Sequence, residues 1–526
     1  MTDMQASELL KSLPENISEV IKPWAERSPE RLAVIETSGS LTYRQLQTVV
    51  GETQAWLRNL GVRPGDRVLL VCENCRAFVA IFLALTGIDA WPVLANARLS
   101  AREIDDIRGH CGARRVIYMA GVPPHAAQHA KRHSAVIEER AGLGSVGVGQ
   151  LNGEVEPEPV AKNSDDRVAA LIYTSGTTGL PKGVVLTHRN LLFIAAVSAQ
   201  IRSLTPQDRL YGVLPMSHAV GLSVVLLGTL LSGATLYLAP RFDPVAALAA
   251  LERDQLTIVL GVPAMFALLV DYANAKKLSG PLKFPALRII SSSGAPLQLA
   301  VKSAVESLFG MTLHNGYGVT ECSPTIAQAR VDEPRTDLSV GRVLPGVEIT
   351  LVDSGGQKVG DGEVGELWVR GPNVAKGYYR APEETAAAIN PEGWFNTRDL
   401  AQLKDGHLFI VGRTKELIVR FGMNVYPAEV EAVLNTHPAV VNSAVIGRAV
   451  QGAEGGEDVI AFVQLSTSAS VSDTELAEHA AKNLAPYKRP SQILVVRELP
   501  LTPTGKVRKE ELSKMAASPT PDSGAR

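Results

Sequence analysis

Tyr173-Thr-Ser-Gly-Thr-Thr-Gly-Leu-Pro-Lys-Gly183 packs four small hydroxyl residues (Thr174, Ser175, Thr177, Thr178), three glycines (Gly176, Gly179, Gly183) and Lys182 into eleven positions. The apolar run Val168-Ala-Ala-Leu-Ile172 leads into it, a pattern that predicts a strand feeding a loop. Glycines let the backbone come close to an anion, so successive N–H groups can form a nest to which hydroxyls and an ammonium add donors. The stretch therefore reads as a phosphate loop. It is not a Walker A loop, which needs Gly-x4-Gly-Lys-Ser/Thr. Counted from Gly176, Lys182 falls in place, but Pro181 stands where the second glycine belongs and Gly183 where the hydroxyl belongs.

Working outward, residues 15–115 alternate helix and strand: a short helix over Ile21 to Arg27, a strand at Leu32–Ile35, a helix capped by Thr42, a strand at Arg67–Val71 and a helix over Phe78–Leu85. That rhythm predicts a doubly wound α/β architecture. Residues 123–163 carry no functional signal, and Pro157-Glu-Pro159 with Asp165-Asp166 reads as the connector into the loop. Beyond the loop, His188 opens a helix. Thr257–Pro263, Leu287–Gly294 and Thr312–Glu321 read as strands ending in small residues, glycines and an acid. Ligands bind past the carboxyl ends of such strands. From about Ser339 short strands with Gly/Asp turns predict a β-rich subdomain, and from Gly412 a separate small α+β domain follows.

With 526 residues the chain exceeds one compact core. Charged residues at 20%, hydrophobic ones at 45% and a formal net charge of −2 are those of an ordinary globular protein and argue against nucleic acid or an acidic membrane as partner. The acidic start predicts no signal peptide, and four cysteines in so long a chain point to a reducing, cytoplasmic compartment. The apolar run Leu222–Ala239, broken by Gly228 and Ser232-Gly233, reads as a buried helix and a strand and not as a membrane span. Cys72 and Cys75 form a C-x-x-C between strand and helix, with no second pair nearby to complete a metal site.

Six further motifs stand in order with the phosphate loop: Tyr317-Gly-Val-Thr-Glu321, Gly365-Glu-Leu-Trp-Val-Arg-Gly371, the Asp399 region, Gly412-Arg-Thr-Lys-Glu416, Gly422-Met-Asn-Val-Tyr-Pro-Ala-Glu-Val430 and Leu501-Thr-Pro-Thr-Gly-Lys506. Together they resemble the adenylate-forming superfamily of acyl- and aryl-CoA ligases, peptide-synthetase adenylation domains and luciferases, over nearly the whole chain. The resemblance implies a large N-terminal AMP-binding domain (1–412, with the β-rich subdomain at about 339–412), a mobile C-terminal domain (413–515, hinged at 413–416) and a disordered tail (516–526). It implies ATP, Mg²⁺ and coenzyme A as cofactors, and a carboxylate that attacks the α-phosphate of ATP before a thiol captures the acyl-adenylate.

By the same resemblance Thr174, Ser175, Gly176, Thr177, Thr178 and Lys182 hold the β- and γ-phosphates, Glu321 the Mg²⁺, and Thr320 the α-phosphate. Adenine lies by Gly316, Tyr317, Gly318 and Ser293-Gly294-Ala295, while Asp399 and Arg413 hold the ribose side. Arg398 stands where the family usually has glycine. Lys506 corresponds to the adenylation lysine and Lys415 to the hinge, while Phe421, Gly422 and Met423 line the pantetheine tunnel. His218, Val220, Val224, Gly261, Val262, Met265, Phe266, Gly294 and Val319 form the acyl pocket. A dicarboxylate would need a buried cation that the segment after Pro263 lacks, so an apolar monocarboxylic acid, fatty or aryl, is expected. Alternatives on this reading are a stand-alone adenylation enzyme loading a carrier protein, a luciferase-like oxygenation and a silent nucleotide-binding regulator. A homodimer and an acetyltransferase acting on Lys506 are further partners it admits.

Overall fold

The computed structural model describes residues 3–174, 182–278, 280–420, 423–450, 456–466, 471–501 and 507–517. Among these the strands form sheets of nine, seven, four, three and two strands. A large N-terminal domain carries the nine-, seven- and four-stranded sheets, and a small C-terminal domain the others.

Two-residue periodicity explains why the large sheets stack. In the seven-stranded sheet, Val68, Leu70 and Cys72 of strand Arg67–Cys72 turn to the central core, while Leu69 and Val71 turn outward to a second cluster with Ile104, Ile107 and Tyr118. The nine-stranded sheet does the same: Leu210, Ile258 and Ile289 face the central core, and Tyr211, Val259 and Ile290 a third cluster. The layer between contains helices Arg76–Gly87 and His188–Ile201, buried on nearly every face and correspondingly apolar all round. Thr42 caps helix Tyr43–Asn59 through a reciprocal bond pair with Gln45, and Thr187 caps His188–Ile201 through one with Asn190.

Strands Leu32–Glu36, Thr235–Leu238, Arg209–Gly212, Ile258–Gly261, Ile289–Ser292 and Leu313–Gly318 run parallel, so the carboxyl ends of the last three lie along one edge. The apolar run expected to be helix then strand is Val220–Leu227, wound as a π-helix, continued by Gly228–Leu231 and strand Thr235–Leu238. Among the described residues no helix is long and apolar enough to cross a membrane.

Helix His125–Arg132 precedes the hairpin strands Val136–Arg140 and Gly144–Val148, which extend the seven-stranded sheet. Strand His407–Arg413 ends with Arg413 opposite Asp399, and helix Lys509–Ala517 includes Ala516 and Ala517, while 518–526 lie outside the described residues.

Candidate active site

Strand Val168–Thr174 feeds the phosphate loop as its apolar run dictates, but the chain then turns back instead of entering a helix. Strand Lys182–Thr187 pairs antiparallel with it, Tyr173 opposite Gly183 and Thr174 opposite Lys182. The loop is thus a hairpin connection whose two ends are held in register. Ser175, Gly176, Thr177 and Thr178 lie outside the described residues.

Lys182 does not stand alone. Its Nζ lies 5.2 Å from the ring centroid of Tyr378, within cation–π range. The Tyr378 hydroxyl donates to Glu321 Oε1 at 2.9 Å. Backbone bonds build this bridge. Val185 N donates to Gly377 O at 2.9 Å, Tyr379 N to Gly183 O at 2.7 Å and Ala375 N to Glu321 O at 2.8 Å, so residues 375–379 lie as an added strand along Lys182–Thr187. Burial and the Glu321 carboxylate together push the Tyr378 phenol well up, which keeps it a donor.

Strand Leu313–Gly318 delivers the second constellation. Gly318 must be glycine, because a Cβ there would lie 1.8 Å from the Pro324 carbonyl oxygen. Past it, Thr320–Cys322 forms a single 3₁₀ turn presenting half-buried Thr320 and Glu321. Tyr317 donates to Asp399 Oδ2 at 2.5 Å, and Arg413 Nε donates to Asp399 Oδ1 at 2.9 Å. Asp399 is itself buried. Both carboxylate oxygens are thereby oriented. Arg398 has φ +60°, the left-handed region, at the register shift of strand Phe395–Lys404 against Val364–Arg370. The expected glycine position is real; here an exposed arginine occupies it. Ser293 N donates to Gly261 O, and Gly294 at φ +84° turns the chain into Ala295. Gly316 lies in strand Leu313–Gly318 opposite Gln328.

Of the expected acyl-pocket residues, Val220, Val262, Met265 and Val319 are half-buried hydrophobics along the margin of the central core, and Val224 is buried within it. His218 opens the π-helical segment, its N–H on Pro215 O and its carbonyl accepting from Leu222 N. Phe266 does not join them. Helix Pro263–Ala275 buries Phe266, Leu269 and Ala273, at i, i+3 and i+7, in the cluster behind the nine-stranded sheet, with the Phe266 ring against Gly261. Met265, about 100° round the helix, is half-buried and packs against both that cluster and the central core.

In the hinge region, Thr414–Glu416 is one 3₁₀ turn in which Thr414 and Lys415 are exposed and Glu416 half-buried, with Thr414 Oγ1 donating to Glu366 Oε1 at 2.8 Å. Met423 is exposed in the short strand Met423–Val425. Phe421, Gly422 and Lys506 lie outside the described residues.

For Mg²⁺ the donor set is one carboxylate, Glu321, on a turn beside the phosphate loop. This ion takes one or two carboxylates plus nucleotide phosphates and water, so the residues fit. Among the described residues no group of three or more His, Cys, Asp or Glu could hold a metal by itself. All four cysteines are free and buried, and burial raises the thiols of Cys72 and Cys75, the latter to about 12. The C-x-x-C is packing, not redox chemistry. A separate open cavity of about 440 Å³, lined by Asn16, Gln54, Asp89 and Arg167 among others, includes none of the residues above.

Tyr378, and the contact that Glu366 of the Gly365–Gly371 motif makes, escaped sequence reading. Their partners lie 57 residues or more and 48 residues away along the chain, and neither side chain has a local spacing that announces the contact.

Comparison with known proteins identifies the family. Residues 21–379 match the AMP-binding enzymes and residues 429–506 the C-terminal domain of AMP-binding enzymes. The chain is 35% identical to a feruloyl-CoA synthase of Amycolatopsis sp, covering 93% of this chain and 97% of that protein. It is 33% identical to 4-coumarate–CoA ligase 1 of Oryza sativa subsp. japonica, covering 93% and 91%. Its fold is similar to ATP-bound MatB from Rhodopseudomonas palustris, with a TM-score of 0.80 at 27% identity over 96% of this chain and 99% of that one.

Proposed function

Because the chain belongs to the AMP-binding, adenylate-forming enzymes and is an AMP-forming acid–CoA ligase using ATP, Mg²⁺ and CoA, we propose that its acid is an apolar monocarboxylate, with cinnamate-type aryl acids the first candidates and fatty acids the second. The observation that carries this is that Val220, Val262, Met265 and Val319 are half-buried hydrophobics at the margin of the central core, and that helix Pro263–Ala275, which carries Met265, contains no lysine or arginine. A second carboxylate placed there would be desolvated without a cation. The names of the hydroxycinnamate-activating relatives support the aryl choice.

In the first step the acid's carboxylate oxygen attacks the α-phosphorus of ATP, the bond to the β-phosphate oxygen breaks, and pyrophosphate leaves. Carboxylate is already a nucleophile at neutral pH, so the protein's task is placement and charge neutralisation. Lys182 and the hydroxyls of residues 174–178 hold the β- and γ-phosphates, Thr320 the α-phosphate, Asp399 and Arg413 the ribose, and Lys506 bridges α-phosphate and carboxylate. Glu321 would hold Mg²⁺, which when bound offsets phosphate charge. In the second step the CoA sulfur attacks the adenylate carbonyl, and AMP leaves. Residues 1–412 and 413–515 act as the two bodies and Lys415 as their hinge, with CoA entering past Phe421, Gly422 and Met423. The enzyme works in the cytoplasm. Mass spectrometry of CoA thioesters formed from a mixture of cinnamates, benzoates, fatty acids and dicarboxylates tests the substrate reading. Aryl- or fatty acyl-CoA is expected, and dicarboxyl-CoA as the main product would refute it.

A further inference from the structure

Lys415 stands between two anchors. On one side Thr414 is tied to Glu366 of the four-stranded sheet at 2.8 Å. On the other, Glu416 Oε2 lies 2.9 Å from Lys509 Nζ, which is also 3.0 Å from Glu431 Oε1. Glu431 belongs to helix Pro427–Leu434, and its Oε1 accepts in addition from Val445 N at 2.8 Å, so one arm of the triangle is fixed to strand Val440–Ala449. Lys509 begins helix Lys509–Ala517, three residues after Lys506 in sequence. A β-bridge pairs Leu501 with Val507. The three charged side chains are largely covered: 23% exposed for Lys509, 26% for Glu416 and 19% for Glu431. A covered ammonium shared by two carboxylates holds its geometry far better than an open surface pair. Burial opposes the charge on Lys509, yet Glu431 and Glu416 hold its pKa above the ordinary lysine value.

We propose that Lys509 is a positioning residue that ties the start of helix Lys509–Ala517, three residues after Lys506 in sequence, to the hinge turn and to helix Pro427–Leu434, so that the chain leading back to Lys506 departs from a fixed point when Lys415 turns. The proposal rests on Lys506 being the adenylation lysine and Lys415 the hinge. Lys509 touches neither ATP nor acid in this account. Its effect falls on the half-reaction that needs Lys506 in place, and a misplacement of about 1 Å costs on the order of a hundredfold in such a step.

The test measures each half-reaction on the full chain: acid-dependent ATP–pyrophosphate exchange, and thioester formation from supplied acyl-adenylate and CoA. Lys509→Met is expected to lower the exchange kcat about 10- to 100-fold with the KM for ATP within about twofold, and to leave thioester formation unchanged. Lys509→Arg should restore most of the exchange. Glu416→Gln, which keeps Glu431 on Lys509, should fall between them with little change in melting temperature. Equal loss of both half-reactions in Glu416→Gln and Lys509→Met would overturn the proposal, because Lys509 would then only hold the domain folded. Full exchange in Lys509→Met beside an inactive Lys506→Ala would overturn it alone. Full exchange in Lys506→Ala would overturn the underlying reading of Lys506.

Discussion

Replacing Tyr378 by phenylalanine removes one oxygen and, with it, the 2.9 Å bond to Glu321, while leaving the ring that Lys182 approaches at 5.2 Å. A hydrogen bond to a carboxylate contributes about 1.5–3 kcal/mol. Tyr378 and Glu321 are both half-buried, so water can replace part of that bond, leaving a net loss of about 1–1.5 kcal/mol, or about five- to twelvefold in rate. The loss should sit in the handling of Mg²⁺–ATP, because Glu321 is the carboxylate that the Tyr378 hydroxyl orients. In ATP–pyrophosphate exchange titrated with magnesium, Tyr378→Phe should raise the magnesium concentration for half-maximal rate and recover near wild-type kcat at saturation. Tyr378→Leu, which also removes the ring from Lys182, should add a two- to fivefold rise in the KM for ATP, from about 0.5–1 kcal/mol of cation–π interaction. Equilibrium ATP binding with and without magnesium should show the same split. An unchanged magnesium dependence in Tyr378→Phe, or an equal loss in both variants, would refute the bridge.

Three further outcomes are expected. Arg398→Gly should raise stability by about 1 kcal/mol, since a side chain at φ +60° costs about 1–2 kcal/mol and glycine's extra unfolded freedom returns part of it; a lower melting temperature would contradict this. Gly318→Ala should cost at least about 2 kcal/mol and abolish ATP binding by displacing the Thr320–Cys322 turn; calorimetry showing wild-type ATP affinity would contradict it. His188 is buried, accepts from Ile17 N through Nδ1, and has its pKa lowered to about 3 by burial and then by Arg167. The unfolded chain takes up that proton near pH 6.5 and the folded one only near 3, so this contribution is full above 6.5 and falls with pH between those values, by up to about 1.4 kcal/mol per unit. Urea midpoints at pH 7 and pH 5 should therefore differ less in His188→Asn than in the wild type; an equal difference would exclude His188 as the source.

What the sequence discloses follows from how local each signal is. Strand Val168–Thr174 and the cap at Thr42 are written in neighbouring residues, and the sheet edge where Ser293, Gly294, Tyr317 and Glu321 gather follows from strands ending in small or polar groups. The return strand Lys182–Thr187 is not, because its pairing with Tyr173 and Thr174 is a register set by hydrogen bonds and not by composition. Met265 and Phe266 are adjacent and both apolar, so only their placement on the helix against the sheet separates the fully buried Phe266 from the half-buried Met265. The π-helical winding of Val220–Leu227 leaves no periodicity to read in a segment buried on every side. Val136 and Ile137 sit exposed on an edge strand, where the alternation that betrays interior strands is lost. Tyr378 is invisible for the same reason, since its meaning lies in Lys182 and Glu321, both distant in sequence.

ATP–pyrophosphate exchange across a panel of cinnamates, benzoates, fatty acids and dicarboxylates, with Lys506→Ala in parallel and CoA added in a second series, tests the central claim most directly. Exchange that depends on an apolar acid and collapses in Lys506→Ala, with the matching acyl-CoA appearing once CoA is present, is the expected result. ATP binding without exchange for any acid, or exchange untouched by Lys506→Ala, would contradict the account.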